Sequence, residues 1–204
     1  MRTRQHVNPL GLAFAEFRGE RPALHPDRPV EVEIGCADAQ FLFERAAADP
    51  SRSYVGFEVR ELLVRQVNQR ARDEGLPVHA VFANANRHMA SVIPAGRVDR
   101  VYVNFPDPWF KSRHRKRRMV DDVLAEGIAE ICRPGADLLF QSDVWSVSID
   151  AMEVFERHDR WFANQVEPWT FWKQGNPYGV RSWREQHCEE AGMKIWRIRY
   201  RRRA

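Results

Sequence analysis

Short apolar runs alternate along the chain with longer amphipathic segments, and this alternation constrains the fold more than any other feature of the sequence. The seven strand-like runs cover residues 29–34, 54–59, 78–83, 98–105, 137–141, 161–166 and 193–200. The helix-like segments among them cover residues 38–48, 61–74, 121–132 and 148–158. Alternation of this kind predicts an α/β sandwich with a mostly parallel sheet.

Turn and capping residues mark several predicted boundaries. Asp38 is a candidate N-cap for the first helix, Gly75 a stop for the second, and Arg133-Pro134-Gly135 a turn after the third. No long helix separates the last two predicted strands, so one of them is expected to run antiparallel. The absence of linkers and repeats predicts one domain over residues 26–204. Residues 1–25 are read as an N-terminal extension that is either flexible or in contact with a partner.

Composition excludes several classes of protein. The 204 residues are 44% hydrophobic and 29% charged, and no apolar run reaches the roughly 18 residues that a membrane span needs. Neither a membrane segment nor a signal peptide is therefore expected. Three widely spaced cysteines, Cys36, Cys132 and Cys188, suit a reducing cytoplasm better than a disulfide framework or a zinc site. The sequence predicts a cytoplasmic protein without a metal and leaves a monomer and a homodimer both open.

Positive charge is concentrated in two places although the net charge is only +4. Residues 111–118 contain six Lys or Arg, one His and no carboxylate, and residues 197–203 contain five Arg. Such clusters are typical of a polyanion-binding surface, and a solvated surface is the alternative. Ion pairs from the first cluster to Asp121 and Asp122 are expected for one or two of its members. Together the two clusters favour a nucleic-acid partner.

Polar residues follow the predicted parallel strands, where α/β sheets bind their ligands. Gly35 follows the first strand, but only the first glycine of a GxGxxG pattern is present. Glu58 ends the second strand at the distance expected of a ribose-binding acid. Asn84 and Asn86 follow the third strand and are suited either to an adenine edge or to a simple turn.

The fourth strand ends in the sequence NFPDPW. Pro106 and Pro108 stiffen the backbone on both sides of Asp107 and remove two N–H donors. A stiff loop at the end of a strand would hold Asp107 in a fixed position, where its carboxylate can accept hydrogen bonds from a nucleobase. Trp109 is expected either to pack in the core or to stack on a ligand.

VEIG, YVGFEVR, VYVNFPDPWFKSRHRKRRMV and LLFQSD, in this order and spacing, resemble the tRNA (guanine-N7-)-methyltransferases over about residues 30–200. The resemblance implies a Rossmann-like class I methyltransferase fold, with a mostly parallel seven-stranded sheet and one antiparallel strand. It implies S-adenosylmethionine as cofactor and tRNA as partner. The implied reaction is methyl transfer to guanine N7, by resemblance in the variable loop.

The resemblance also implies roles for individual residues. The implied cofactor-binding residues are Glu33, Gly35, Glu58, Asn84 and Asp107, with Asp107 also catalytic at the junction with the base. The implied substrate-binding residues are Lys111, Asp143, Ser182 and Glu185. Docking of the tRNA backbone is expected from Arg113, Arg115, Lys116, Arg117 and Arg118.

Three departures from the family pattern matter. Cys36-Ala37-Asp38-Ala39 replaces the family's G-x-G, so the loop beside the cofactor is expected to be tighter. Asn84 replaces an Asp, and Ser182 replaces a Thr. Two other functions stay open at this point: an amino-group methyltransferase acting on a nucleic-acid base, and a non-catalytic RNA-binding protein on a degenerate methyltransferase fold.

Overall fold

A computed structural model describes residue 11, residues 15–110 and residues 117–204 of the chain. Its centre is a seven-stranded sheet with the strand order β3-β2-β1-β4-β5-β7-β6. The strands are β1 Val30–Ile34, β2 Ser53–Glu58, β3 Val78–Phe82, β4 Val98–Asn104, β5 Cys132–Ser142, β6 Phe162–Asn164 and β7 Trp196–Arg202. β7 runs antiparallel to both of its neighbours, and the other pairs are parallel. The predicted sheet, with one antiparallel strand, is confirmed.

Helices cover both faces of this sheet. They are α1 Gln40–Ala48, α2 Glu61–Glu74, α3 Ala85–Val92, α4 Asp122–Ile131, α5 Trp145–Arg157 and α6 Trp183–Glu190. Alternate residues of a strand point to opposite faces. Val30, Val32 and Ile34 accordingly join the core beneath α3, α4 and α5, whereas residues of α1 and α2 form a second apolar cluster with Tyr54 and Tyr102.

Several local predictions need correction. Asp38 does not cap α1, because the helix begins one residue later with Ala39 as its N-cap and makes no side-chain capping bond. Arg133-Pro134-Gly135 does not separate the third predicted helix from the next strand. β5 begins at Cys132, and the turn residues lie where its register with β4 shifts. The two helices α3 and α6 were not predicted.

The described part of the N-terminal extension lies against β3 and α3. The ring of Phe17 lies 5.9 Å from that of His88, and the carbonyl of Glu20 lies 3.4 Å from Nε2 of His79. The guanidinium of Arg97 donates to the carbonyl of His25 at 2.8 Å. None of the described helices has the length and apolar character needed to cross a membrane.

Glu31 is a buried carboxylate in the interior of the sheet with several charged and polar partners. It is fully buried, and its oxygens accept two hydrogen bonds from Arg45, at 2.9 and 3.1 Å. Arg100 and the hydroxyl of Tyr102 donate to it at 2.9 and 2.7 Å. A buried charge is tolerated only when its partners replace the water that it has lost, so this network ties α1 to β1 and β4.

Replacing Glu31 by Leu should lower the free energy of unfolding by about 3–5 kcal/mol. The buried guanidinium of Arg45 would lose its acidic partner and keep only its bond to the carbonyl of Tyr178. Glu31→Gln should cost less, since the amide oxygen still accepts one bond. Urea unfolding followed by circular dichroism measures both. The matched control is Glu74→Gln, which breaks a half-exposed pair with Arg70 and should cost less than about 1 kcal/mol. Equal losses for Glu31→Leu and the control would contradict this account.

Candidate active site

The carboxyl ends of the five neighbouring parallel strands open into one cavity of about 900 Å³. The predicted site residues that line it are Glu33, Gly35, Glu58, Asn84, Asp107, Asp143, Ser182, Arg117 and Arg118. Glu185 does not line the cavity. The positions of Lys111, Arg113, Arg115 and Lys116 lie outside the described residues.

The loop between β1 and α1 has a left-handed backbone at three positions, with φ of 77° at Gly35, 52° at Ala37 and 55° at Ala39. Gly35 is also closely approached by a side chain, because a Cβ there would lie 2.8 Å from Cε at the flexible end of Met119. The two alanines lie in the stretch where the family carries G-x-G. The loop therefore keeps a conformation that suits glycine, at a cost of about 1 kcal/mol or more for each alanine.

Cys36 is accommodated by a glycine on the next strand. A Cβ at Gly56 would lie 2.4 Å from Sγ of Cys36, so the missing side chain at Gly56 makes room for the thiol. Burial raises the pKa of this thiol well above its usual value, and the charges of Glu33 and Glu58 raise it further. Cys36 is consequently a packing residue and a poor nucleophile.

Glu58 accepts hydrogen bonds at both of its side-chain oxygens. Oε2 accepts from the backbone N–H of Ala37 at 2.9 Å, and Oε1 accepts from the N–H groups of Val59 and Arg60 at 2.8 and 3.0 Å. The guanidinium of Arg60 adds two further bonds, at 2.8 and 2.9 Å. Hydrogen bonding to Glu58 raises the pKa of Arg60, and the charge of Asp107 also contributes. Arg60 thus lies within electrostatic reach of both acids.

Glu33, in contrast to Glu58, has few hydrogen-bond donors around it. Its side chain is buried, Oε1 accepts from Nδ2 of Asn104 at 2.7 Å, and among the described residues no group donates to Oε2. Burial raises its pKa to about 8, and the charges of Asp38 and Glu58 act in the same direction. The residue therefore lines the cavity while one of its oxygens is buried without a donor among the described residues.

Asn84 and Asn86 lie at the beginning of α3 and have different surroundings. Asn84 is the N-cap residue and lines the cavity, but its side chain makes no capping bond. Asn86 donates to the carbonyl of Met119 at 2.9 Å and to Oδ1 of Asp121 at 2.7 Å. Asn86 therefore fixes the segment that covers Gly35.

The proline-flanked loop places Asp107 at the mouth of the cavity, where it is exposed. Non-glycine residues adopt left-handed backbone on both sides of it, with φ of 47° at Phe105 and 44° at Trp109. Trp109 is partly exposed and lines the cavity, and the guanidinium of Arg117 lies 5.2 Å from its ring centroid.

Arg118 is anchored from below the loop. Its guanidinium donates to the carbonyl of Pro108 at 3.1 Å, to Oγ of Ser146 at 3.0 Å, and to the carboxylate of Asp150 on α5. The expected pairing of the basic cluster with Asp121 or Asp122 is therefore not seen for Arg118. Arg118 instead joins the end of the cluster to the loop that carries Asp107.

A chain of hydrogen bonds crosses one face of the sheet from the cavity to α6. Asn104, which donates to Glu33, accepts from Nε2 of Gln141 at 3.0 Å, and the same Nε2 lies 2.9 Å from Oε2 of Glu185. Arg197 donates to Oε1 of Gln141 at 3.0 Å and to Oε1 of Glu185 at 2.8 Å. Gln141 and Glu185 are both fully buried. Glu185 therefore lies behind the cavity wall.

The wall itself is formed by the residues around the N-terminus of α6. Oγ of Ser182 caps this helix by accepting from the N–H of Glu185 at 3.3 Å. Arg184 donates to Asp143 at 2.5 Å. Trp183, which lies between Ser182 and Arg184 in the sequence, lines the cavity and is 69% exposed. Sequence reasoning predicted no role for Trp183, although an aromatic residue directly after a helix cap is a visible signal.

The second basic cluster is largely used inside the fold. Arg197 belongs to the chain described above, and Arg199 and Arg201 lie within 3.1 and 3.4 Å of the carboxylate of Asp137. Arg203 donates to the carbonyl of Asp159 at 2.8 Å. Arg197 and Arg199 are therefore largely buried in ion pairs within the fold, whereas the side chain of Arg201 is 49% exposed.

Known proteins resemble this chain in fold and in sequence. Among solved structures, the 16S rRNA methyltransferase KamB matches with a TM-score of 0.59 and 15% identity, covering 86% of this chain and 88% of KamB. The aminoglycoside resistance methyltransferase NpmB1 matches with a TM-score of 0.57 and 17% identity, covering 92% of this chain and 100% of NpmB1. These likenesses define the fold as that of the class I methyltransferases.

Sequence comparison identifies the family. A family model described as "Putative methyltransferase" matches residues 27–198. The tRNA (guanine-N(7)-)-methyltransferase of Synechococcus sp. strain WH7803 is 41% identical over 98% of this chain and 87% of its own length. That of Synechococcus elongatus is 35% identical over 97% and 94%. The chain belongs to the tRNA (guanine-N(7)-)-methyltransferase family.

The cavity fits S-adenosylmethionine, the methyl donor of this class. Its volume is in the range of ligand pockets. Gly35 opens one wall to a close backbone approach, and Glu33 offers a buried oxygen without a donor among the described residues. Glu58 provides a fixed carboxylate at the end of β2. Ala37 and Ala39, which replace the glycines, keep the left-handed backbone of this loop.

Glu33 should make stability depend on pH. Its pKa is raised to about 8 in the folded protein from 4.5, so the folded state binds the extra proton between these values. The free energy of unfolding should fall as pH rises from 5 to 8, by up to about 1.4 kcal/mol per pH unit. Glu33→Gln should remove this slope. Urea titrations across this range test it, with Glu74→Gln as control, and parallel curves for wild type and Glu33→Gln would contradict it.

Proposed function

We propose that this protein transfers the methyl group of S-adenosylmethionine to N7 of a guanine in tRNA, in the variable loop as the resemblance implies. The proposal rests mainly on the position of Asp107, which a proline-stiffened loop holds at the mouth of the cofactor-sized cavity. The basic cluster follows Asp107 directly in the sequence. Membership of the family supplies the substrate class.

The chemistry asks little of acids and bases. Guanine N7 has a free lone pair and no proton to lose, and bound S-adenosylmethionine supplies an electrophilic methyl group. The protein must therefore position N7 in line with that group and exclude water, which are contributions of proximity and orientation. We assign to Asp107 the task of accepting hydrogen bonds from the guanine and of stabilising the positive charge that develops on it.

The residues of the deeper cavity bind the cofactor in this proposal. Glu58 accepts hydrogen bonds from ribose hydroxyls, in exchange for those that Arg60 makes in the free protein. Glu33 accepts a bond at its free Oε2, and Asn84 contacts the adenine or its neighbours. Gly35 lets the loop after β1 adopt its left-handed turn beside the cofactor.

Some of the predicted substrate residues contact the substrate in this proposal, and Glu185 supports the cavity wall from behind. Asp143 and Ser182 lie on the cavity wall and contact the guanine or its nucleotide. Glu185 supports this wall from the buried chain of hydrogen bonds. We assign Lys111 to substrate binding from the family resemblance alone.

The tRNA backbone is held by the basic cluster. Arg113, Arg115, Lys116 and Arg117 neutralise phosphates, which form most contacts to folded RNA. Arg118 has its guanidinium committed to Pro108, Ser146 and Asp150, so we assign it to holding the Asp107 loop.

The setting of the enzyme follows from its substrate. We place it in the cytoplasm, where tRNA is available and where the three buried thiols stay reduced. Residues 26–204 act as one catalytic domain, and the extension before them rests partly on β3 and α3.

Incubation with labelled S-adenosylmethionine and unmodified tRNA should mark one guanine at N7. Digestion of the product and mass spectrometry of the nucleosides identify the methylated atom. A methylated exocyclic amine on adenine or cytosine would instead identify an amino-group methyltransferase. Absence of transfer together with absence of cofactor binding in calorimetry would favour the non-catalytic RNA-binding protein.

Asp107→Asn should lower kcat about a hundredfold, the scale expected when a reacting group loses its orientation. The dissociation constant of the cofactor, measured by calorimetry, should change less than threefold, about 0.7 kcal/mol, because Glu58 and Glu33 remain. Asp73→Asn, an exposed change on α2, is the control and should leave both values unchanged. Unchanged turnover in Asp107→Asn would remove this residue from the mechanism.

A further inference from the structure

Trp183 is a large apolar side chain left open to solvent at the wall of the cavity. Its exposed fraction is 69%, the largest of any described tryptophan. Its ring lies parallel to that of His187, one helical turn further along α6, with 5.6 Å between the centroids and 5° between the planes. His187 therefore backs the indole.

The helix that carries Trp183 is fixed in place. Ser182 caps its first turn, and Glu185 is fully buried behind it. The carboxylate of Glu185 accepts from Arg197 at 2.8 Å, from Gln141 at 2.9 Å and from Nδ2 of Asn176 at 3.0 Å. The indole is thus presented on a rigid support, which lowers the entropic cost of binding a flat ligand on it.

The surroundings of Trp183 suit an RNA base better than an apolar protein segment. Arg184, the next residue, is 38% exposed at its side chain while paired with Asp143. Arg87 and Arg117 line the same cavity. Cations beside an exposed aromatic face are the combination with which proteins hold unpaired nucleotides, through phosphate contacts and base stacking.

We propose that the indole of Trp183 is a stacking platform for an unpaired nucleobase of the tRNA at the cavity mouth. This inference rests on the proposed function. It moves substrate contact on α6 from the buried Glu185 to the exposed Trp183. The stack binds the base by its face, whereas Asp107 and Asp143 bind by hydrogen bonds to base edges.

Trp183→Ala should raise the KM for tRNA by about 5- to 160-fold, the range that corresponds to loss of one base–aromatic stack. The dissociation constant of S-adenosylmethionine should stay within twofold, because the cofactor residues lie on β1 to β4. Trp183→Phe keeps an aromatic face and should recover most of the loss. Trp169→Ala is the matched control, since Trp169 is 59% exposed but does not line the cavity.

Fluorescence provides a readout that loss of fold alone would not reproduce. Stacking on a base quenches indole emission, so saturating wild-type protein with tRNA should quench more than saturating Trp183→Phe, while Trp169→Phe should match wild type. Equal quenching in all three, or an unchanged KM in Trp183→Ala, would overturn the stacking site.

Failure of this inference differs from failure of the proposed function. If wild-type protein methylates guanine N7 and Trp183→Ala does so with the same KM, the stacking site alone is wrong. If wild-type protein transfers no methyl group to tRNA, the proposed function falls first.

Discussion

A network of buried hydrogen bonds from Glu33 to Glu185 holds the elements of the site in position. It satisfies two buried acids and one buried amide that would otherwise each cost free energy in the interior. Within this network of hydrogen bonds, every polar side-chain atom that faces protein has a partner except Oε2 of Glu33, which has none among the described residues. Glu33 is a residue of the cavity wall. The chain therefore fixes the strand ends, anchors the helix of the substrate wall, and leaves its one vacancy at the cavity.

The two cavity glutamates show how position sets the behaviour of one side-chain type. Glu58 emerges at the end of β2, where backbone N–H groups and Arg60 stabilise its charge. Glu33 lies near the carboxyl end of β1, where Asn104 donates one hydrogen bond to it. Burial disfavours the charged form of Glu33 and so raises its pKa. A ligand that donates to Glu33 would replace missing solvation, and one that donates to Glu58 would displace an existing cation.

Sequence reasoning located the parallel strands and their carboxyl ends, because buried parallel strands read as apolar runs bounded by polar residues. It missed α3 and α6, whose eight residues give too few turns for a clear helical period. It could not predict that Glu185 is buried behind the cavity wall while Ser182 lines the cavity, because only the fold determines which side chain points inward. The arginines of β7 read as a basic surface because their partners, Asp137 and Glu185, are distant in sequence.

The loop around Asp107 also depends on contacts that no local pattern reveals. Left-handed backbone at Phe105 and Trp109 costs of order 1 kcal/mol or more at each residue, so the loop holds this shape only if its surroundings impose it. Arg118 imposes it by tying the carbonyl of Pro108 to Ser146 and Asp150 on α5. Arg118 is also the last residue of the basic cluster, so one side chain belongs both to that cluster and to the anchor of the Asp107 loop.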